Sequence, residues 1–438
     1  MLQPIDLSPY AKAAEGSEPL RVYGRITEIT GIMIKATGIK ASVGEACKIY
    51  SDGQLPIDAE VVGFKDSKAL LMATGDISFI RPDSRILAMG KKVSIKAGDG
   101  LIGRVINESC LPIDGKGQIS GASYPLMSTP PNPMSKERIT EPIDLGVAAI
   151  NGLLTVGKGQ RIGIMSGAGV GKSVLLGMMA KYTRADINVI ALVGERNREV
   201  REFIERDLGP EGMKRSVVVV STSEQSPVAK VKGAFVATAI SEYFRGLGND
   251  VLLFMDSLTR VAMAQREIGL AVGEPPATKG YTPSVFALLP KLLERAGTQK
   301  GRGSITGIYT VLVEGDDLSD PVADSVMSIL DGHIVLSRDL AMENHYPAIN
   351  ILRSISRVMP DIIDKPHKDA AGRFIEVMSI YKRFEDMINL GAYKEGSNPK
   401  VDYAISMIDR LNAYLKQGMN EARDFKASFM GLAALFSA

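Results

Sequence analysis

Seven residues, Gly167-Ala168-Gly169-Val170-Gly171-Lys172-Ser173, follow the apolar run Ile162–Met165 and open the helical pattern Val174–Ala180. A glycine loop set between a strand and a helix, and closing on Lys-Ser, fixes a strand, a tight turn and a helix start in one parallel-sheet unit. The glycines let successive backbone N–H groups converge on phosphate oxygens, and the helix N-terminus adds positive potential. Gly167 through Val174 are therefore the candidate contacts to a nucleotide. Lys172 would reach its β- and γ-phosphates and the Ser173 hydroxyl would ligate Mg²⁺. One position departs from the motif: Ser166 stands five before Gly171, where glycine is usual.

The surrounding pattern agrees with that unit. Apolar runs at Arg161–Met165, Asn188–Val193, Val217–Val220, Val251–Met255, Ile305–Val313 and Ile334–Leu336 alternate with amphipathic stretches. Strands buried on both faces look like this, so an α/β core with a parallel sheet is expected. Ahead of it, short β-branched runs at Leu20–Thr30, Ile32–Ala36, Cys47–Tyr50, Glu60–Phe64 and Ala69–Ala73 are separated by turn residues, which predicts a small N-terminal β-barrel. Glycines and prolines from Gly100 to Pro133 read as a loop-rich lead into the core. After about Pro366, Phe374, Met378, Tyr381, Phe384 and Ile388 recur at helical spacing, predicting a helical C-terminal domain. The expected organisation is a tail over residues 1–18, a barrel over 19–92, the P-loop domain over 93–365 and helices over 366–438.

Composition narrows the function classes. A formal charge of +2 gives no electrostatic case for nucleic acid or an acidic membrane surface. The two cysteines, Cys47 and Cys110, lie far apart in no metal-binding spacing, as suits a reducing cytoplasm. Residues Met1 to Glu18 lack the basic flank and apolar run of a signal peptide, and no stretch approaches the roughly 20 apolar residues of a membrane span.

A P-loop needs an acid near the metal. Asp256 ends the run Val251–Met255, where a buried parallel strand presents a carboxylate at the sheet edge, and it would hold the Mg²⁺ shell. Glu195, within Gly194-Glu195-Arg196, also ends a strand; taken alone, a glutamate there is ordinarily a solvated loop charge.

Gly194-Glu195-Arg196 resembles the stretch of the catalytic β-subunit of rotary ATP synthases that carries the water-activating glutamate. The wider text resembles the ATPases of type III protein-export systems more closely still, chiefly in Val193–Gly209, Asp256–Arg260, Gly280–Pro290, Thr310–Asp317 and Leu330–Arg338. The likeness runs from about Gly100 to Asp361. It implies an ATP-hydrolysing enzyme with Glu195 as catalytic carboxylate and Arg196 as its neighbour in the site. It also implies Tyr346, in His345-Tyr346-Pro347, as the ring stacked on adenine, and Arg357, in Ser354-Ile355-Ser356-Arg357-Val358, as a finger reaching a neighbouring subunit's γ-phosphate.

Such a finger implies a ring, in this family a homohexamer. The resemblance further implies a dimeric, stator-like regulator at the N-terminal tail, a central stalk protein against the loop Gly269–Pro283, and an export-gate membrane protein with its substrates and chaperones. The expected place is the cytoplasm, beside the inner membrane. The flagellar system is favoured over the injectisome on overall similarity. An RNA-translocating, termination-type ring ATPase is disfavoured, because residues 1–92 carry 12 Lys and Arg against 11 Asp and Glu and the chain has no tryptophan. A non-catalytic ring subunit is disfavoured by Lys172, Ser173 and Glu195 occurring in one chain.

Overall fold

The computed structural model describes residues 7–8, 21–51, 55–313, 315 and 317–437. The expected partner-binding tail therefore lies outside the described residues except for Leu7 and Ser8. The chain divides into two compact units, the first ending at Val93 and the second running Ser94–Ala438.

In the first unit, strands Tyr23–Thr30 (β1), Met33–Thr37 (β2), Glu45–Tyr50 (β3), Ile57–Lys65 (β4), Lys68–Ala73 (β5) and Arg85–Lys92 (β6) close a barrel in the order β1-β2-β5-β4-β3-β6. Alternate side chains point inward, so Ile26, Ile34, Ile49, Val61, Leu71 and Ile86 meet in one apolar core. The β4–β5 hairpin turns through Asp66 and Ser67, both at positive φ, the geometry whose twist matches the flanking strands. Five of the six strands coincide with the apolar runs. The sixth, β6, was not among them: its run Ile86-Leu87-Ala88-Met89 is short and followed by Gly90-Lys91-Lys92.

In the second unit, Ser94–Ala97 (β7), Arg104–Asn107 (β8) and Ala122–Pro125 (β9) precede Arg161–Ser166 (β10), Ile187–Glu195 (β11), Ser216–Thr222 (β12), Val251–Asp256 (β13), Gly297–Thr298 (β14), Ser304–Leu312 (β15), Gly332–Val335 (β16) and Ile355–Ser356 (β17). The main sheet has the order β17-β16-β10-β15-β13-β11-β12-β8, with β14 on the flank of β15. It is parallel from β16 to β8; the short β14 and β17 run antiparallel. β11 and β12 are buried almost throughout, as the unbroken apolar runs require. The segment read as a loop-rich lead holds two strands, β8 and β9, and β7 lies just ahead of it. β8 extends the sheet edge beside β12, and β7 pairs with β9. Arg104, bonded to Asp114 at 2.7 Å, pins β8 to the loop that follows it.

Helices Lys172–Tyr182, Pro227–Gly246, Leu258–Ala271 and Pro283–Leu293 accompany these strands; Pro290 lies inside the last of them. The C-terminal helices Lys365–Asn389, Pro399–Leu415 and Phe425–Ala434 share the sheet's core: Phe374, Ala404, Leu411 and Tyr414 belong to the same buried cluster as Ile150, Ile164 and Leu175. Among the described residues no helix is long and apolar enough to cross a membrane.

Candidate active site

The site is built at the C-terminal ends of four neighbouring strands, β10, β15, β13 and β11. β10 ends at Ser166, and Gly169 and Gly171 then turn the chain at φ 78° and 90°, conformations that favour glycine. The helix starts at Lys172 with no side-chain cap, so its first-turn N–H groups stay available to an anion. The donor set therefore fits a nucleotide's phosphates. Ser166 adds a buried hydroxyl with no hydrogen-bond partner at the entry to the loop.

β13 lies between β11 and β15, with Asp256 in register with Leu192 of β11. That register brings Asp256 and Glu195 to the same edge, and Lys172 lies between them. Its ammonium bonds the Asp256 carboxylate and stands 3.6 Å from Glu195 Oε1. Burial works against the Lys172 charge, but the two carboxylates outweigh it and hold the amine's pKa above the ordinary lysine value. Thr310 of β15 donates its hydroxyl to Asp256 Oδ1 at 2.7 Å, fixing that carboxylate.

Glu195 is set apart from its neighbours by its proton affinity. Burial, then the nearby Asp256 charge, push its pKa up to about 7, against the opposing pull of Lys172. A carboxylate titrating near neutrality suits a base that takes a proton from water. The oxygens of Ser173 and Asp256 are the hard donors that Mg²⁺ accepts beside phosphate and water, so these residues fit the ion.

The sequence-predicted residues do not all converge. Arg196 follows Glu195, but its guanidinium is exposed and pairs with Glu199 at 3.5 Å. Tyr346 does converge: its ring lies so close to the P-loop that a Cβ on Gly171 would meet it at 3.4 Å. The Tyr346 carbonyl accepts the Gln417 N–H at 2.9 Å, which ties this loop to the C-terminal segment.

Arg357 is elsewhere. It follows β17, its N–H donates to the Asp331 carbonyl, and Asp331 in turn exchanges bonds with Arg161 at the start of β10. Ser166 is at the other end of that strand, about 16 Å away at the usual rise per residue. The Arg357 side chain is thus remote from its own chain's P-loop.

Sequence reasoning missed Thr310, hidden as one hydroxyl within an apolar run. It also missed Arg260, whose stem packs against Gly194 closely enough that a Cβ there would lie 2.9 Å from it. A glycine between an apolar strand and a glutamate was the available signal.

The second unit matches two family models: the ATP synthase alpha/beta family, nucleotide-binding domain, over residues 146–356, and the T3SS EscN ATPase C-terminal domain over residues 363–434. The chain is 54% identical to a flagellum-specific ATP synthase of Bacillus subtilis, covering 96% of this chain and 97% of that one. It is also similar to the solved assembled ATPase EscN of the enteropathogenic E. coli type III secretion system, with a TM-score of 0.89 and 42% identity over 94% of this chain and all of that one. EscN solved in complex with its central stalk EscO gives a TM-score of 0.87 at 41% identity, again over 94% of this chain and all of that one.

Proposed function

This chain belongs to the family of flagellum-specific ATP synthases and type 3 secretion ATPases, and on that premise we propose that it hydrolyses ATP in a homohexameric ring that primes and delivers export substrates to a flagellar type III protein-export gate. The observation that carries the reading is the Lys172–Asp256–Glu195 cluster at the mouth of the P-loop, with Glu195 poised near pH 7.

Lys172 is the group that transfers its ammonium from the two carboxylates to the β- and γ-phosphates when ATP binds. The uncapped first turn of helix Lys172–Tyr182 supplies the remaining N–H donors. Ser173 and Asp256 would hold Mg²⁺, which when bound would neutralise charge on the phosphates. Glu195 accepts a proton from the attacking water; the water oxygen forms a bond to the γ-phosphorus as the bond to the ADP oxygen breaks. Tyr346 covers the adenine by offset stacking, since its ring already lies beside Gly171. Arg357, directed away from its own P-loop, serves the neighbouring subunit's γ-phosphate, and this is why the active form is a ring.

Partners follow from the same reading. The complex of EscN with its central stalk EscO supports a stalk protein pressing on the connection between helices Leu258–Ala271 and Pro283–Leu293, which is shorter than the loop Gly269–Pro283 expected from sequence because Gly269–Ala271 are helical. Residues 1–18 are the docking tail for a dimeric regulator, and work takes place on the cytoplasmic face of the inner membrane. The 54% identity to the flagellum-specific relative, against 48% to a type 3 secretion system ATPase, favours the flagellar system over an injectisome.

The test is phosphate release from ATP by the purified chain. Lys172→Ala should weaken both nucleotide binding and turnover. Glu195→Gln should leave binding near normal and lower turnover by a factor on the order of 10² or more. A Glu195→Gln protein keeping more than about a tenth of the activity would remove Glu195 as the main base.

A further inference from the structure

β15 lies between β10 and β13 and is buried along all but its last residue, yet it carries a threonine, Thr310, two residues before its end. A valine of nearly the same size would fill that position without burying a hydroxyl, a cost offset only where the hydroxyl finds a partner. Thr310 has no solvent exposure, and its hydroxyl donates to Asp256 Oδ1 at 2.7 Å; the Met255 carbonyl, at 3.4 Å, is a distant second acceptor. A hydroxyl donating to an ionised carboxylate makes one of the stronger hydrogen bonds in a protein.

The same Oδ1 receives the Lys172 ammonium. Asp256 is only 3% exposed, so protein donors and not bulk water fix its carboxylate. Once Lys172 turns to the phosphates of a bound nucleotide, Thr310 is the one of these two donors that stays. It cannot follow the lysine, because it is part of the sheet: Thr310 stands in register with Ile164 of β10. The junction of β15 with the helix after Asp256 is braced separately, by the Leu312 N–H donating to the Thr259 hydroxyl at 2.8 Å.

We infer that Thr310 is a positioning residue of the nucleotide site. Its hydroxyl keeps the Asp256 carboxylate oriented after Lys172 has left it, so that the site takes nucleotide with Mg²⁺ in preference to nucleotide alone. The inference rests on the ATPase reading above and adds to it a residue that touches neither substrate nor metal. Thr310 acts only through Asp256, and the bond at Leu312 lets the strand keep its place without the hydroxyl.

The experiment measures ADP binding to the full chain by titration calorimetry over a series of free Mg²⁺ concentrations. Thr310→Val should raise the Mg²⁺ concentration that gives half of the full gain in affinity by about fivefold or more. ADP affinity in excess chelator should stay within about twofold of wild type, and Thr310→Ser, which restores the hydroxyl, should bring the Mg²⁺ midpoint back. Thr238→Val removes an equally buried hydroxyl that bonds only the Ala234 carbonyl of its own helix, and should leave the midpoint unchanged. Thermal unfolding reports whether each variant is folded; if Thr310→Val is not, Thr310→Ala takes its place under the same criterion. Equal midpoints in wild type and the hydroxyl-free variant, in a chain that turns over ATP, overturn the role of Thr310 alone. A Thr310→Ser chain as impaired as Thr310→Val also overturns it, since packing of the methyl and not the hydroxyl would then be the cause. A wild-type chain that binds ADP no better with Mg²⁺ and releases no phosphate from ATP overturns the ATPase reading and this inference with it.

Discussion

Glu195 is the residue at which burial, a like charge and an opposite charge compete for one proton. Burial and Asp256 prevail over Lys172, so the free enzyme carries a carboxyl titrating near pH 7. Because the base form is the ionised one, kcat/KM should be steady above about pH 7 and fall about tenfold per unit below it. The same shift has a stability sign. Protonated Glu195 is the favoured folded form, so its contribution is present below the ordinary value of 4.5 and is lost as pH rises through about 7. Glu195→Gln should therefore gain stability relative to wild type at pH 8 and not at pH 4, measured by thermal unfolding at both. An acid limb at the same pH in an active Glu195 substitution would assign the titration to another group. At this scale much was legible. Lys172, Ser173 and Asp256 follow from strand, loop and helix order alone. Glu195 needed resemblance, because a strand-end glutamate is common and only the fold reveals that Asp256 lies beside it. Thr310 could not be read, since a hydroxyl in an apolar run carries no sign of what it faces.

Among the elements, the parallel core was legible because unbroken apolar runs leave a strand little choice once both faces are covered. β8 and β6 were not, because an edge or closing strand of a few residues draws its order from its neighbours and not from its own pattern. The same limit applies to the buried pair that braces helix Pro227–Gly246. Glu242 accepts two bonds from Arg295, at 2.9 and 2.6 Å, and one from the Ser128 hydroxyl, shared between its two oxygens, with Arg295 only 1% exposed. Arg245, also buried, bonds the Arg295 carbonyl at 3.0 Å. Nothing in the spacing of Glu242 and Arg295 announces the pair. Glu242→Gln would leave two buried guanidinium groups without a counter-charge, so it should cost about 3–5 kcal/mol in denaturant unfolding. A loss below about 1 kcal/mol would mean that water already reaches the cluster.

For the whole molecule, the decisive feature is that Arg357 sits at the opposite end of β10 from the P-loop. If it serves a neighbour, Arg357→Ala should bind ATP normally and turn over poorly. Mixing Arg357→Ala with Lys172→Ala should then restore part of the rate, because some interfaces in a mixed ring pair an intact P-loop with an intact finger. Steady-state rates across mixing ratios check this; mixed rings that form without any recovered rate would refute the trans role. The barrel and sheet were visible in sequence, but the place of Arg357 relative to its own site was not, because it depends on the register of β17 against β16.

A catalyst divided in this way measures its own abundance. If Arg357 serves a neighbour, a lone chain holds a nucleotide pocket at one end and the arginine for another chain's pocket at the other, and can occupy the first without completing the reaction. Turnover per cell would then climb as a steep power of chain number, so a small change in gene dosage, or a protein that sequesters single subunits, would act as a switch without ever touching the pocket.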